Sequence, residues 1–182
     1  MEWLDVVDEN GEPTGETVAR TVAHAEGIRH RTAHVWVVRN TPDGYEILLQ
    51  KRAKDKESFP GMYDTSSAGH IPAGEEPLTS ALRELREELG ITATEKELEY
   101  AGLFYSKYEK VFYGKPFKDN EVTTVYVYSK PVDETKLSLQ KEEVEEVAWF
   151  DLEKVWNEIQ HDRTRFCVPR DGLGVLRKKL GI

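Results

Sequence analysis

The sequence predicts an α/β or α+β sandwich, and three observations point there. Strand-like runs rich in valine and aromatic residues recur along the chain. One long segment carries apolar residues at helical spacing, and short turn-rich stretches separate the runs. A length of 182 residues suits one domain with its own core. The expected division is an N-terminal extension with a small hairpin over 1–30, a core over 31–165 and a C-terminal helix within 166–182.

Taken in order, Asp8–Glu16 (DENGEPTGE) is turn-rich and suits the tip of that first hairpin. Thr32–Arg39 (TAHVWVVR) reads as a strand, Asn40–Gly44 (NTPDG) as a turn, and Tyr45–Arg52 (YEILLQKR) as the returning strand of a hairpin. Ser58–Gly61 (SFPG) breaks the chain before Met62–Ala68. Pro72–Pro77 (PAGEEP) marks a loop whose last proline suits the first turn of a helix. From there Leu78, Ala81, Leu82, Leu85 and Leu89 recur at three- and four-residue spacing, so one stripe faces a core, and Gly90 stands where a C-terminal cap belongs. Leu98–Tyr108, Val122–Ser129 and Val144–Phe150 read as further strands. The stretch Tyr105–Asn120 (YSKYEKVFYGKPFKDN) mixes aromatics with lysines and is expected to form a pocket loop. Asp151 can cap a helix reaching about Gln160, and Leu173–Leu180 is the final helix.

Charge narrows the function classes. Lys plus Arg number 25 against 34 Asp plus Glu, a net charge of -9, which argues against nonspecific binding to nucleic acid or to an anionic membrane surface. No segment approaches the apolar length needed to span a bilayer, and MEWLDVVDENG lacks a basic start followed by an apolar run. Cys167 is the sole cysteine, so no intrachain disulfide forms and a reducing cytoplasm is the expected compartment. Trp3 and Trp36, taken as exposed, leave room for a homodimer.

Glu84, Glu87 and Glu88 fall three and four residues apart on the predicted helix and project together. Like charges at that spacing repel by a few tenths of a kcal/mol per pair. Arg83 reaches Glu87 one turn on, but the two arginines of this turn do not neutralise the cluster. A solvated face laced with ion pairs would explain such a helix, and so would a hard divalent cation, which binds oxygen ligands and leaves positions for water and phosphate.

The full spacing resembles a known signature. Gly69, Glu75, Arg83-Glu84-Leu85, Glu87-Glu88 and Gly90-Ile91 match the fixed positions of the Nudix box. The resemblance implies the Nudix fold, an α/β/α sandwich with a mixed sheet. It also implies hydrolysis of a diphosphate linked to a nucleoside or a small organic group, with Mg²⁺ or Mn²⁺. On that reading Glu84, Glu87 and Glu88 hold the metal, Arg83 orients them by salt bridging, and Glu75 supports the loop.

Outside the box, segments between Asp8 and Trp149 are similar to isopentenyl diphosphate isomerase, a Nudix-fold enzyme. These are DENGEPTG, HAEGIRHR, LLQKRAKDKESFPGMY, Gly69-His70 and Asp119–Val122. Carried over, His24, His30, His70 and Glu121 would form a second metal site, with Asp119 a weaker candidate. Imidazoles with a carboxylate suit Mn²⁺, Zn²⁺ or Fe²⁺ better than Mg²⁺. Arg20, Arg52 and Lys56 match the basic residues that grip the diphosphate. The isomerase carries a catalytic cysteine where this chain has Ala68, and Cys167 reads as a structural residue instead. The leading expectation is therefore a metal-dependent hydrolase. An isomerase using another acid and a noncatalytic diphosphate-binding module are the alternatives.

Overall fold

The computed structural model describes residues 1–182. Its centre is β3 (His30–Thr41), whose β-branched run is buried on both faces from Ala33 to Val38, as a strand covered on both sides must be. The expected hairpin brings β4 (Gly44–Arg52) back antiparallel to it, with Val37 opposite Leu48. The main sheet is completed by β5 (Tyr63–Asp64), β6 (Ser67–His70), β7 (Leu98–Phe112), β8 (Lys115–Tyr128) and β9 (Val144–Asp151). Its order is β5-β4-β3-β8-β7, with β6 paired to β3 and β9 to β4. The β3–β8 pairing is parallel and the rest antiparallel, so the sheet is mixed. Separately, β1 (Trp3–Val7) and β2 (Pro13–Ala19) form the small N-terminal hairpin.

Alternation along β3 sorts its side chains into two cores. Val35 and Val37 join Leu48 beneath α2 (Pro77–Leu89), whose predicted stripe supplies buried Ala81, Leu85 and Leu89. Each leucine so buried stabilises the fold by about 1.5–3 kcal/mol. Trp36 and Val38 join Ile47 and Leu49 on the other face, closed by residues of α3 (Leu152–Ile159) and α4 (Arg170–Leu180). Helices on both faces of one sheet make the three-layer sandwich. Pro77 opens α2, Gly90 ends it at φ 72°, and the Asp151 carboxylate accepts the Lys154 N–H at 2.8 Å to cap α3.

Four expectations change. Tyr105–Asn120 is no loop: β7 and β8 continue through it as a ribbon, turning at Tyr113 and Gly114, both with positive φ (51° and 72°). Two left-handed residues are what a tight hairpin turn requires, and Tyr-Gly signals it more weakly than Asn-Gly. Trp36 is fully buried, because period-two alternation puts it on the Val38 side, whereas Trp3 is half exposed. A helix, α1 (Arg20–Glu26), follows β2 and carries His24; at seven residues it is too short for helical periodicity to announce it. The last helix begins at Arg170, three residues before the apolar periodicity does.

Candidate functional site

The strand β6 divides the site. It runs antiparallel to β3, with Ala68 opposite His34 and His70 opposite Thr32. Successive side chains leave a strand on opposite faces. Ser67 and Gly69 therefore turn toward α2, and Ala68 and His70 toward the far side. Both faces open on one cavity of about 1080 Å³, which reaches the α2 glutamates on one side and His24, His70 and Glu121 on the other.

On the α2 side, Glu88 is buried and accepts hydrogen bonds from Ser67 Oγ (2.9 Å), the Ala68 N–H (2.9 Å) and Gln50 Nε2 (3.1 Å). Burial pushes its carboxyl up to about 7 against the pull of these donors. Glu84 lies against Gly69, where any Cβ would overlap the Glu84 carboxyl group, so this position needs glycine. Burial raises the Glu84 pKa as well. The guanidinium of Arg83 sits between Glu75 and Glu84, 3.3 Å from the latter. Its expected partner Glu87 is not engaged: Glu75, on the loop before the helix, captures the arginine and turns it away. Glu87 stands exposed on the cavity wall.

On the far side, three imidazoles converge on one carboxylate oxygen. Glu121 Oε1 lies 3.3 Å from His30 Nε2, 3.4 Å from His70 Nε2 and 3.8 Å from His24 Nε2. The four ligand atoms fall within 4.8 Å of one another. They come from one helix and three strands: α1 brings His24, β3 begins with His30, β6 ends with His70, and β8 carries Glu121 directly opposite His30. The Nδ1–H of His30 donates to the Ile28 carbonyl at 2.8 Å, which leaves Nε2 bearing the lone pair, and that atom is buried with no hydrogen-bond partner. An orphaned imidazole nitrogen aimed at two others and a carboxylate fits a divalent cation of the Mn²⁺, Zn²⁺ or Fe²⁺ type. Burial lowers His70 to about 4, while burial of Glu121 is outweighed by the three histidines, which hold its carboxyl well below the usual range.

Asp119 stands just outside this group, with Oδ1 3.8 Å from His24 Nε2 and Oδ2 accepting from Ser106 at 2.7 Å. Burial, then the Glu121 charge, pushes it up to about 9. The ring of Phe117 stacks on His24 at 4.3 Å.

The three predicted cations all line the cavity, each already paired. Arg52 bridges Asp64 (3.3 Å) and the Ser58 carbonyl (2.9 Å), Lys56 meets Glu143, and Arg20 meets Glu2 at 3.1 Å. Carboxylates still predominate on the wall, where Arg20, Arg52, Lys56 and Lys115 are the only arginines and lysines. Sequence reasoning missed Ser67 and Gln50, which fix Glu88, and it missed His34 on the cavity wall. A signal for His34 existed: His30, Thr32 and His34 form a period-two polar row that leads into the apolar run Val35–Val38.

Comparison with known proteins identifies the family and the fold. Residues 28–168 match the NUDIX domain. The chain is 38% identical over 183 residues to Nudix hydrolase 3 of Arabidopsis thaliana, covering all of this chain and 23% of the plant protein. It is 32% identical over 153 residues to the isopentenyl-diphosphate Delta-isomerase of Dinoroseobacter shibae, covering 82% and 79% of the two chains. The crystal structure of DR0079 from Deinococcus radiodurans superimposes with a TM-score of 0.69 at 18% identity, over 97% and 98% of the chains. This chain thus spans about a quarter of its plant relative.

Proposed function

The chain belongs to the Nudix hydrolase family, and from that premise we propose that it hydrolyses the diphosphate bond of a nucleoside diphosphate derivative or a small organic diphosphate. The observation that carries this reading is the shared cavity, in which the α2 carboxylates and the histidine cluster face each other around the edge of β6. A binding module would need no second acidic face.

In this reading Glu84, Glu87 and Glu88 hold Mg²⁺ or Mn²⁺, and His24, His30, His70 and Glu121 hold a second divalent ion. Such ions, when bound, neutralise phosphate oxygens and lower the pKa of a coordinated water. The protein's own work is positioning. Ser67, the Ala68 amide and Gln50 lock the Glu88 carboxylate, and Arg83 holds Glu84 in place. A carboxylate of the cluster accepts the proton of the attacking water. Arg20, Arg52 and Lys56 supply positive charge to the diphosphate.

The isomerase reading is weaker here. Moving a double bond needs an acid and a base on opposite faces. Ala68 supplies neither, and the Cys167 thiol donates to the Tyr63 carbonyl at 3.5 Å. Incubation with Mg²⁺ or Mn²⁺ and a panel of diphosphates is expected to release phosphate or a monophosphate, and Glu87→Gln to abolish release without changing the melting temperature. Silence across a broad panel would remove the hydrolase reading. Proton exchange at the allylic carbons of isopentenyl diphosphate would install the isomerase in its place.

A further inference from the structure

His34 is a polar residue on the cavity wall for which the fold itself has no partner. It lies on β3, is 8% exposed, and lines the cavity. Its Nδ1 is fully buried and makes no hydrogen bond. Phe104 presents to it edge-on, with centroids 5.6 Å apart and planes at 68°. The charged groups around it are Asp64, Glu121 and Arg52, and burial keeps the ring neutral by lowering its pKa. Native folds leave few buried polar atoms unpaired, because each costs stability. A neutral imidazole has one donor and one acceptor to offer.

Its placement says what it would meet. Paired residues of antiparallel strands share a face, so the ring stands over the Ala68 methyl group. One pleat repeat along the ladder, roughly 6.6 Å, lies the Thr32–His70 pair that begins the histidine cluster. A diphosphate seated between that cluster and the α2 carboxylates directs a short organic group over Ala68 to His34.

We propose that His34 is a specificity-determining residue that hydrogen-bonds a hydroxyl on the organic half of the substrate, close to the diphosphate. The inference rests on reading the cavity as a diphosphate site. Its chemistry is selective because the ring nitrogen that faces the cavity either donates to or accepts from a hydroxyl, according to the tautomer, whereas a ligand that is purely apolar here buries the ring unpaired.

The test is calorimetric binding to the full chain with Mn²⁺, using butyl methylenediphosphonate and its terminally hydroxylated counterpart, neither of which can be hydrolysed. The hydroxylated ligand is expected to bind wild type about tenfold more tightly. His34→Phe should bring the two affinities together by weakening the hydroxylated compound and tightening the butyl one, which no longer buries an unpaired imidazole, and His34→Gln should keep part of the preference. Equal binding of both ligands by wild type overturns the role of His34 and leaves the diphosphate reading standing. Binding of neither overturns both. A preference that survives in His34→Phe also overturns it. Should that variant fail to fold, the wild-type ratio and His34→Gln decide.

Discussion

The backbone N–H of Ala68 donates to Glu88 Oε1 at 2.9 Å. This bond ties the acidic helix to the strand that carries His70 two residues later, so the two candidate metal groups are held at a fixed separation. Ser67 adds a second bond to the same oxygen at 2.9 Å. A helix end and a strand end are thereby coupled through one buried carboxylate.

The close approach of Gly69 to Glu84 is the tightest point of that coupling. Gly69→Ala is expected to displace the Glu84 carboxylate and lower kcat by about a hundredfold, the usual cost of a misplacement near 1 Å. Steady-state kinetics on any turned-over diphosphate measures this, and unchanged kcat would contradict the assignment of Glu84.

Manganese affinity reports on the histidine cluster. Removing a ligand by His30→Ala should weaken Mn²⁺ binding by more than the roughly 10–100-fold typical of outer-shell changes. The exposed His161 serves as the control, since it does not line the cavity. Calorimetry on both variants gives the comparison, and equal affinities would discard the cluster as a metal site. At Mn²⁺ a hundredfold above its Kd, wild type should gain about 2.7 kcal/mol of stability, lost on adding a chelator.

Acid stability isolates His34. Burial lowers its folded-state pKa below the ordinary 6.5, so the unfolded chain takes up this proton first and the fold loses stability as pH falls below that value. His34→Phe lacks the term. Between pH 7.5 and pH 5.5 the variant should therefore gain in stability on wild type. Urea unfolding of both proteins in chelator at the two pH values measures it, and a constant difference would show that the ring is not held neutral.

The thiol of Cys167 is pushed well above its ordinary pKa by burial and then by the Asp64 charge. Little thiolate forms at pH 8, so iodoacetamide should alkylate the native protein far more slowly than the urea-unfolded chain. Mass spectrometry over a time course follows this. Equal rates would mean that the cysteine is open to solvent.

Much of this architecture is visible in the residues. The stripe of Leu85 and Leu89, the proline and glycine that bound α2, the first core hairpin and the Asp151 cap all appear where local pattern places them. Local rules suffice because each depends on neighbours within a turn or a pleat. The ribbon through Tyr105–Asn120 escaped because both its faces carry polar and aromatic residues, which blurs the alternation. The pairing of Arg83 with Glu75 escaped because the choice between Glu75 and Glu87 depends on the path of the loop before the helix.

What the sequence alone determined is the helix of clustered glutamates, its caps and its buried stripe, along with the family to which its spacing belongs. Only the tertiary structure decided that His24, His30, His70 and Glu121 meet at one point, that Trp36 is core, and that Ser67 and Gln50 clamp Glu88. The reason is range: periodicity and capping are short-range consequences of backbone geometry. A site gathered from a short helix and three strands exists only once the sheet register between β3, β6 and β8 has been set.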